Sequence, residues 1–205
     1  GVMSKKPLIV FEGIEGSGKS LHIKNVEDYL GRKNIKYIKL REPGGSKNSE
    51  KIRKLILETS SNFNKLTDLF LYMASRNENY HNLLKKNYKK KIILIDRFID
   101  STIAYQHFGM NINKNLIQKM NKFILNKISP DLVFVHIVNQ KNLVRRLKLR
   151  KNKNRYDLFD QKFYKKVQSG FLKLAKNKRK YFIVDSNKTI SENKTKIIER
   201  INKIL

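Results

Sequence analysis

Gly13-Ile14-Glu15-Gly16-Ser17-Gly18-Lys19-Ser20 fits G-x-x-x-x-G-K-[ST], a loop that wraps phosphate groups and occurs between a strand and a helix. Both neighbours are present. Pro7-Leu8-Ile9-Val10-Phe11 reads as a buried strand, and Leu21 to Gly31 reads as a helix with Ile23, Val26 and Leu30 on one face. The glycines let successive backbone N–H groups turn inward on an anion, and the helix that follows adds the positive end of its dipole. Lys19 supplies a mobile cation, and the Ser20 hydroxyl can ligate Mg²⁺. The alternative is a Gly-rich turn that matches by chance; the flanking strand and helix argue against it.

The same alternation continues along the chain. Leu8–Phe11, Ile92–Ile95 and Leu132–Val138 are nearly unbroken apolar runs, as expected of parallel strands covered on both faces. Ile35 to Leu40 alternates and predicts an edge strand, and Tyr181–Val184 predicts a last short one. Helical spacing appears near 48–60, 64–88, 113–127, 140–150, 159–178 and 190–203. Strands alternating with helices predict an α/β fold with a parallel sheet, with ligands at the carboxyl ends of the strands. No repeat or Pro/Gly/Ser linker divides the chain, so 1–205 is expected to form one domain.

Composition narrows the class. A chain of 205 residues, 40% of them apolar, has the length and apolar content for a core. No apolar run is long enough to span a bilayer, and Gly1-Val2-Met3-Ser4-Lys5-Lys6 runs straight into the first strand with no leader pattern. Gly1-Val2 ahead of Met3 reads as a cloning remnant. Without Cys there is neither a disulfide nor a thiolate metal site, and His22, His81, His107 and His136 lack ligand spacing. A cytoplasmic protein with no membrane partner is expected. The net charge of +29 raises the question of nucleic acid. Its Lys residues are spread over almost every segment rather than gathered on one face, so no specific nucleic-acid partner is expected beyond salt-sensitive binding to polyanions.

Polar residues follow each apolar run. Glu12 and the phosphate loop end the first strand, Arg41-Glu42-Pro43-Gly44-Gly45 the second, Asp96-Arg97 the third and Asp185-Ser186-Asn187 the last. For the last of these, a helix cap is as good a reading as a site. Asp96 after Ile92-Ile93-Leu94-Ile95 has the form of a Walker-B aspartate, a ligand of Mg²⁺ directly or through water. Arg97 beside it offers a planar fork for two phosphate oxygens.

Asp96-Arg97-Phe98-Ile99-Asp100-Ser101-Thr102-Ile103-Ala104-Tyr105-Gln106 resembles the D-R-[YH]-x-x-S-x-x-A-Y-Q signature of the thymidylate kinase family. Arg41–Gly45 with Ile52-Arg53 resembles its R-E-P-G-G and downstream L/I-R. Tyr72-Met73-Ala74-Ser75-Arg76 resembles F-x-A-x-R, and Arg155-Tyr156-Asp157 resembles the D-R-x-E that ends its lid. The segments come in family order and span nearly the whole chain.

The resemblance implies a three-layer P-loop NTPase sandwich with a five-stranded parallel sheet in the order 2-3-1-4-5, and a lid near 145–157. It implies transfer of phosphate from ATP to dTMP with Mg²⁺. Gly13, Ile14, Glu15, Gly16, Ser17, Gly18, Lys19 and Ser20 would hold ATP, with Arg146 and Arg155 as further candidates. Ser20 and Asp96 would serve the metal. For dTMP, Arg53 and Arg97 would grip the phosphate, with Pro43 and Ser101 lining the site. Tyr72 would stack on thymine and Arg76 would bond its O4. Thr102 would face the base edge, and Tyr105 would pack on the deoxyribose. Lys19, Arg97, Arg150 and Glu15 form the expected catalytic set, with Glu15 near the sugar 3′-hydroxyl or the Mg²⁺ shell. Departures fall in the lid, where Asn154 stands for the usual Asp and Asp157 for the usual Glu; Phe98 replaces Tyr or His. The family also implies a homodimer through the helices after residues 48 and 64. Three other readings stay open at this level: a deoxynucleoside kinase, a basic nucleic-acid-binding NTPase and a nucleotide-dependent switch.

Overall fold

The computed structural model describes residues 6–205; Gly1 to Lys5, including most of the lead-in read above, lie outside them. Strand β1 (Leu8–Gly13) runs through the phosphate loop into helix α1 (Lys19–Arg32). Then come β2 (Tyr37–Arg41), α2 (Lys47–Leu57), α3 (Lys65–Asn79), a π-helical turn (Tyr80–Leu84) and the short α4 (Lys85–Asn87). Strand β3 (Ile92–Asp96) leads to α5 (Ile99–Thr102), which continues as a π-helical stretch (Ile103–Gly109), and then α6 (Lys114–Leu125). The remainder is β4 (Leu132–Ile137), α7 (Gln140–Leu149), a 3₁₀ turn (Arg155–Leu158), α8 (Gln161–Ala175), β5 (Tyr181–Asp185) and α9 (Ile190–Asn202).

All neighbouring strands pair in parallel, in the order β2-β3-β1-β4-β5. Side chains alternate across each strand, so each half of an apolar run feeds a different core. Ile9, Phe11, Leu94 and Phe134 meet Ile23, Val26 and Leu30 of α1 and Ile197 and Ile201 of α9. Leu8, Val10, Ile93, Ile95, Val133 and Val135 meet the opposite layer, including Tyr164, Val167 and Phe171 of α8. This two-sided cover is why β1, β3 and β4 carry unbroken apolar runs. Phe11 lies level with Asp96 on one side, and Gly13 with His136 on the other. That register places the phosphate loop, Asp96 and the end of β2 along one rim.

Three expectations change. The edge strand begins at Tyr37 rather than Ile35, because the Ile35 N–H is taken by the Leu30 carbonyl as α1 closes. The helix expected over 64–88 widens into a π turn at Tyr80. The Asp96–Gln106 signature, read above only as a motif, is largely helical. Its π-helical stretch buries Ile103, Ala104, Tyr105 and Gln106 in succession, a run that a 3.6-residue stripe does not describe.

Candidate active site

Gly13, Gly16 and Gly18 all have positive φ, which lets the loop curl its amides inward. Gly13 has no substitute here: a Cβ would lie 2.5 Å from the His136 carbonyl oxygen. Lys19, the first residue of α1, is nearly buried, with its ammonium 3.9 Å from Asp96 Oδ1. That Oδ1 is buried and has no hydrogen-bond partner, and Ser20 opens into the same cavity. A carboxylate oxygen with no hydrogen bond and a hydroxyl that line one cavity are oxygen ligands of the kind Mg²⁺ takes beside phosphate oxygens, and Lys19 adds a cation for the phosphates, so these residues fit the metal. Among the described residues no cluster of three or more His, Asp or Glu could hold an ion without help from phosphate oxygens or water.

The cavity in front of Lys19 measures about 210 Å³. It brings together Glu15, Ser20, Pro43, Arg53, Tyr72, Arg76, Asp96, Arg97, Ser101, Thr102, Tyr105 and Arg150, while Arg146, Arg155 and the Asp185-Ser186-Asn187 strand end lie outside its lining. Arg97 sits at φ 67, a left-handed conformation that is uncommon for arginine and costs on the order of 1–3 kcal/mol. That conformation aims its guanidinium back across the phosphate loop. Nη1 donates to the Gly13 carbonyl at 2.7 Å, and Nη2 to Glu15 Oε1 at 2.5 Å. Arg150 Nη1 donates to the other Glu15 oxygen at 2.9 Å and also pairs with Asp157. Burial alone would raise the Glu15 carboxyl; Arg97, Lys19 and Arg150 outweigh it and hold it at about 2. Two arginines are thus gathered at the phosphate loop by one carboxylate.

On the opposite wall, Arg76 is 2% exposed. Its Nε donates to Glu42 Oε1 at 2.8 Å and Nη1 to Asn121 Oδ1 at 2.6 Å. Nη2 donates to the Phe98 carbonyl at 3.1 Å and to Thr102 Oγ1 at 2.9 Å. Most of its donors are therefore engaged by the protein, which departs from the expectation of an arginine free to bond a base directly. Thr102 accepts from Arg76, so its own O–H is available to the cavity. Gln106 donates to the Tyr156 hydroxyl at 3.2 Å, and its buried Oε1 has no partner. Arg53 donates to the Pro43 carbonyl at 2.6 Å.

Two candidate ATP residues part company. Arg146 lies against the phosphate loop, donating to the Gly16 carbonyl at 2.6 Å and reaching Ser186 O at 3.5 Å, so Ser186 joins the loop's outer edge. Arg155 turns to the far side and bonds the Ile56 carbonyl and Asp68. It drops out of the ATP set because Asp68 is a buried carboxylate that needs a cation.

Sequence reasoning assigned no role to Gln106, Tyr156 or Asn121. Gln106 closes the long signature, and that position was its available signal; Asn121 left none. Glu12, which with Glu15 could be proposed as the base only under the deoxynucleoside-kinase alternative, is fully buried and accepts from the Phe98 N–H at 2.8 Å, the Ser101 N–H at 3.3 Å and the Ser101 hydroxyl. Burial, reinforced by Asp100, raises its carboxyl to about 7 against the opposing hydrogen bonds. Behind the loop the His22 and His136 rings stack at 5.6 Å, and burial, with Lys19 adding to it, drives His136 well below the ordinary imidazole range.

A family model described as Thymidylate kinase matches residues 11–197. The thymidylate kinase of Thermosipho melanesiensis is 40% identical over 183 residues, which is 89% of this chain and 90% of that protein. That of Mycoplasma capricolum is 37% identical over 189 residues, covering 90% and 89%. The crystal structure of thymidylate kinase from Ehrlichia chaffeensis superposes with a TM-score of 0.78 at 30% identity, over 96% of this chain and 98% of that one.

Proposed function

This chain belongs to the thymidylate kinase family, and we propose that it transfers the γ-phosphoryl group of ATP to dTMP, giving dTDP for dTTP synthesis. The observation that carries the reading is the one cavity lined by Lys19 at the phosphate loop, by Arg97 bonded to that loop, and by Arg53, Tyr72, Thr102 and Tyr105.

The acceptor is a phosphate monoester whose second pKa is near ~6, so at neutral pH it is mostly a dianion and needs no general base. The obstacle is repulsion between two anions. Lys19 and the loop amides hold the donor phosphates, and Arg53 and Arg97 hold the acceptor. Arg150 completes the positive ring over the migrating group, whose transition state spreads charge on equatorial oxygens. Ser20 and Asp96 would hold Mg²⁺, which when bound neutralises phosphate charge. Glu15 keeps Arg97 and Arg150 in place until phosphate takes over as their partner.

The base pocket matches thymine by polarity. Thr102, its lone pair engaged by Arg76, offers O–H to O4, and Gln106 offers Oε1 to N3–H. Cytosine reverses both edge groups. Tyr72 stacks on the ring and Tyr105 packs against the sugar. On the donor side, Arg146 flanks ATP. The reading implies a cytoplasmic protein. It also implies a homodimer, supported by exposed Leu55 on α2, Leu66 and Phe70 on α3, and Phe123 on α6; sedimentation at micromolar concentration tests it. Among the described residues no helix is long and apolar enough to cross a membrane.

The test is ADP release with ATP·Mg²⁺ and a panel of acceptors. dTMP is expected to be turned over, with dCMP slower by on the order of a hundredfold. Turnover of thymidine in place of dTMP would favour a deoxynucleoside kinase and overturn the proposal.

A further inference from the structure

Arg155 opens the 3₁₀ turn that closes the lid, and its guanidinium is clamped on the acceptor side of the molecule. Nε donates to the Ile56 carbonyl at the end of α2 at 2.9 Å, and Nη2 to Asp68 Oδ1 on α3 at 2.6 Å. Asp68 is 1% exposed and stands one helical turn before Tyr72, the residue placed against the base. The next lid residue, Tyr156, is buried edge-on against Tyr72 and Tyr105, with ring centroids at 6.0 and 5.7 Å, and its hydroxyl accepts from Gln106. The turn itself is rigid: Asn154 and Asp157 form a reciprocal capping box. Asp157 uses Oδ2 for the Asn154 N–H at 2.9 Å and Oδ1 for Arg150. Arg150 then reaches Glu15 in the phosphate loop. One bonded series therefore runs from α3 through the lid to the loop. The five residues 150–154 have no helix or strand of their own, so their path is set by what holds each end.

We propose that Arg155 is a positioning residue: with Asp68 and Tyr156 it fixes the far end of the lid to the wall of the acceptor pocket, so that Arg150 arrives over the phosphate gap in the right place. Binding of the acceptor base then stiffens the anchor that Arg150 depends on, and the lid answers to the acceptor as well as to ATP. This inference rests on the role given to Arg150 above.

A loss of activity on breaking the pair would not suffice, because any structural ion pair could produce it. The informative variant is D68N/R155Q, which replaces a buried charge pair with two neutral amides and leaves no orphan charge. It is expected to lower kcat about tenfold, with the KM for ATP within about twofold. In the R150A background the same pair of changes is expected to alter kcat by less than about twofold, since the group it positions is gone. Losses that multiply in that background would show a merely structural role and overturn the inference. Amide exchange over 150–158 reads the anchor without catalysis. The ligand-free variant is expected to exchange there on the order of tenfold faster than the unmodified protein; equal protection would overturn the anchor. Absence of dTMP turnover by the unmodified protein would sink the functional reading, whereas turnover with multiplying losses would sink only this inference.

Discussion

Glu42→Gln tests the electrostatics of the acceptor wall. Glu42 and Arg76 are 4% and 2% exposed at the side chain, with Nε and Oε1 2.8 Å apart. The second Glu42 oxygen accepts from Asn79 Nδ2 at 3.1 Å. Glutamine has the same shape but one acceptor. Either the Arg76 Nε–H or the Asn79 amide must then face an NH₂ group, and the guanidinium loses the carboxylate bonded to it. Breaking one side of a buried pair costs about 3–5 kcal/mol; because the substitution keeps one hydrogen bond, we expect about 3 kcal/mol. With a urea slope of about 3 kcal/mol per molar, the unfolding midpoint should fall by about 1 M. The midpoint is read by circular dichroism on ligand-free protein, with dTMP KM measured in parallel and expected to rise as Thr102 loses its fixed donor. The double variant E42Q/R76M removes the stranded cation and should recover at least part of the loss. A midpoint within about 0.2 M of the parent would show that water or another acid compensates the charge, and the reasoning about this wall would fail.

Arg150→Ala should lower kcat on the order of a thousandfold, while leaving the dTMP KM within about threefold; a rise in KM with kcat intact would remove Arg150 from the transition state. Glu12→Gln bears on pH. The folded carboxyl titrates at about 7 against 4.5 in the reference state. Its stabilising contribution is therefore full below 4.5 and lost as pH rises through about 7. Glutamine mimics the protonated form and does not titrate. The variant should match the parent near pH ~4 and exceed it by on the order of 3 kcal/mol near pH ~8, in urea melts at both values; parallel pH curves would contradict this.

The fold was legible because its signals are local. A strand covered on both faces must be apolar throughout, and β1, β3 and β4 are. A helix covered on one face must repeat every three to four residues, as α1 and α9 do. The π-helical stretch after Thr102 was not legible, since its widened turn buries four consecutive residues and leaves no stripe to detect. The candidate site was legible where a backbone demand or a strand end restricts the residue type: the loop glycines, Lys19, Asp96 and Arg97.

Partners across the sheet were another matter. Arg146 and Arg155 lie in the same basic stretch, and nothing in their immediate neighbours tells them apart. One faces the Gly16 carbonyl and the other the buried Asp68, a residue 87 positions away. Arg76 looked free for a ligand until Glu42, Asn121, Phe98 and Thr102 closed around it. Strand, helix and phosphate loop follow from each residue's own backbone and its nearest neighbours in the chain. Which acid each arginine meets is settled by long-range packing, because a buried charge takes the partner that the fold brings within hydrogen-bond reach, whatever the distance between them in sequence.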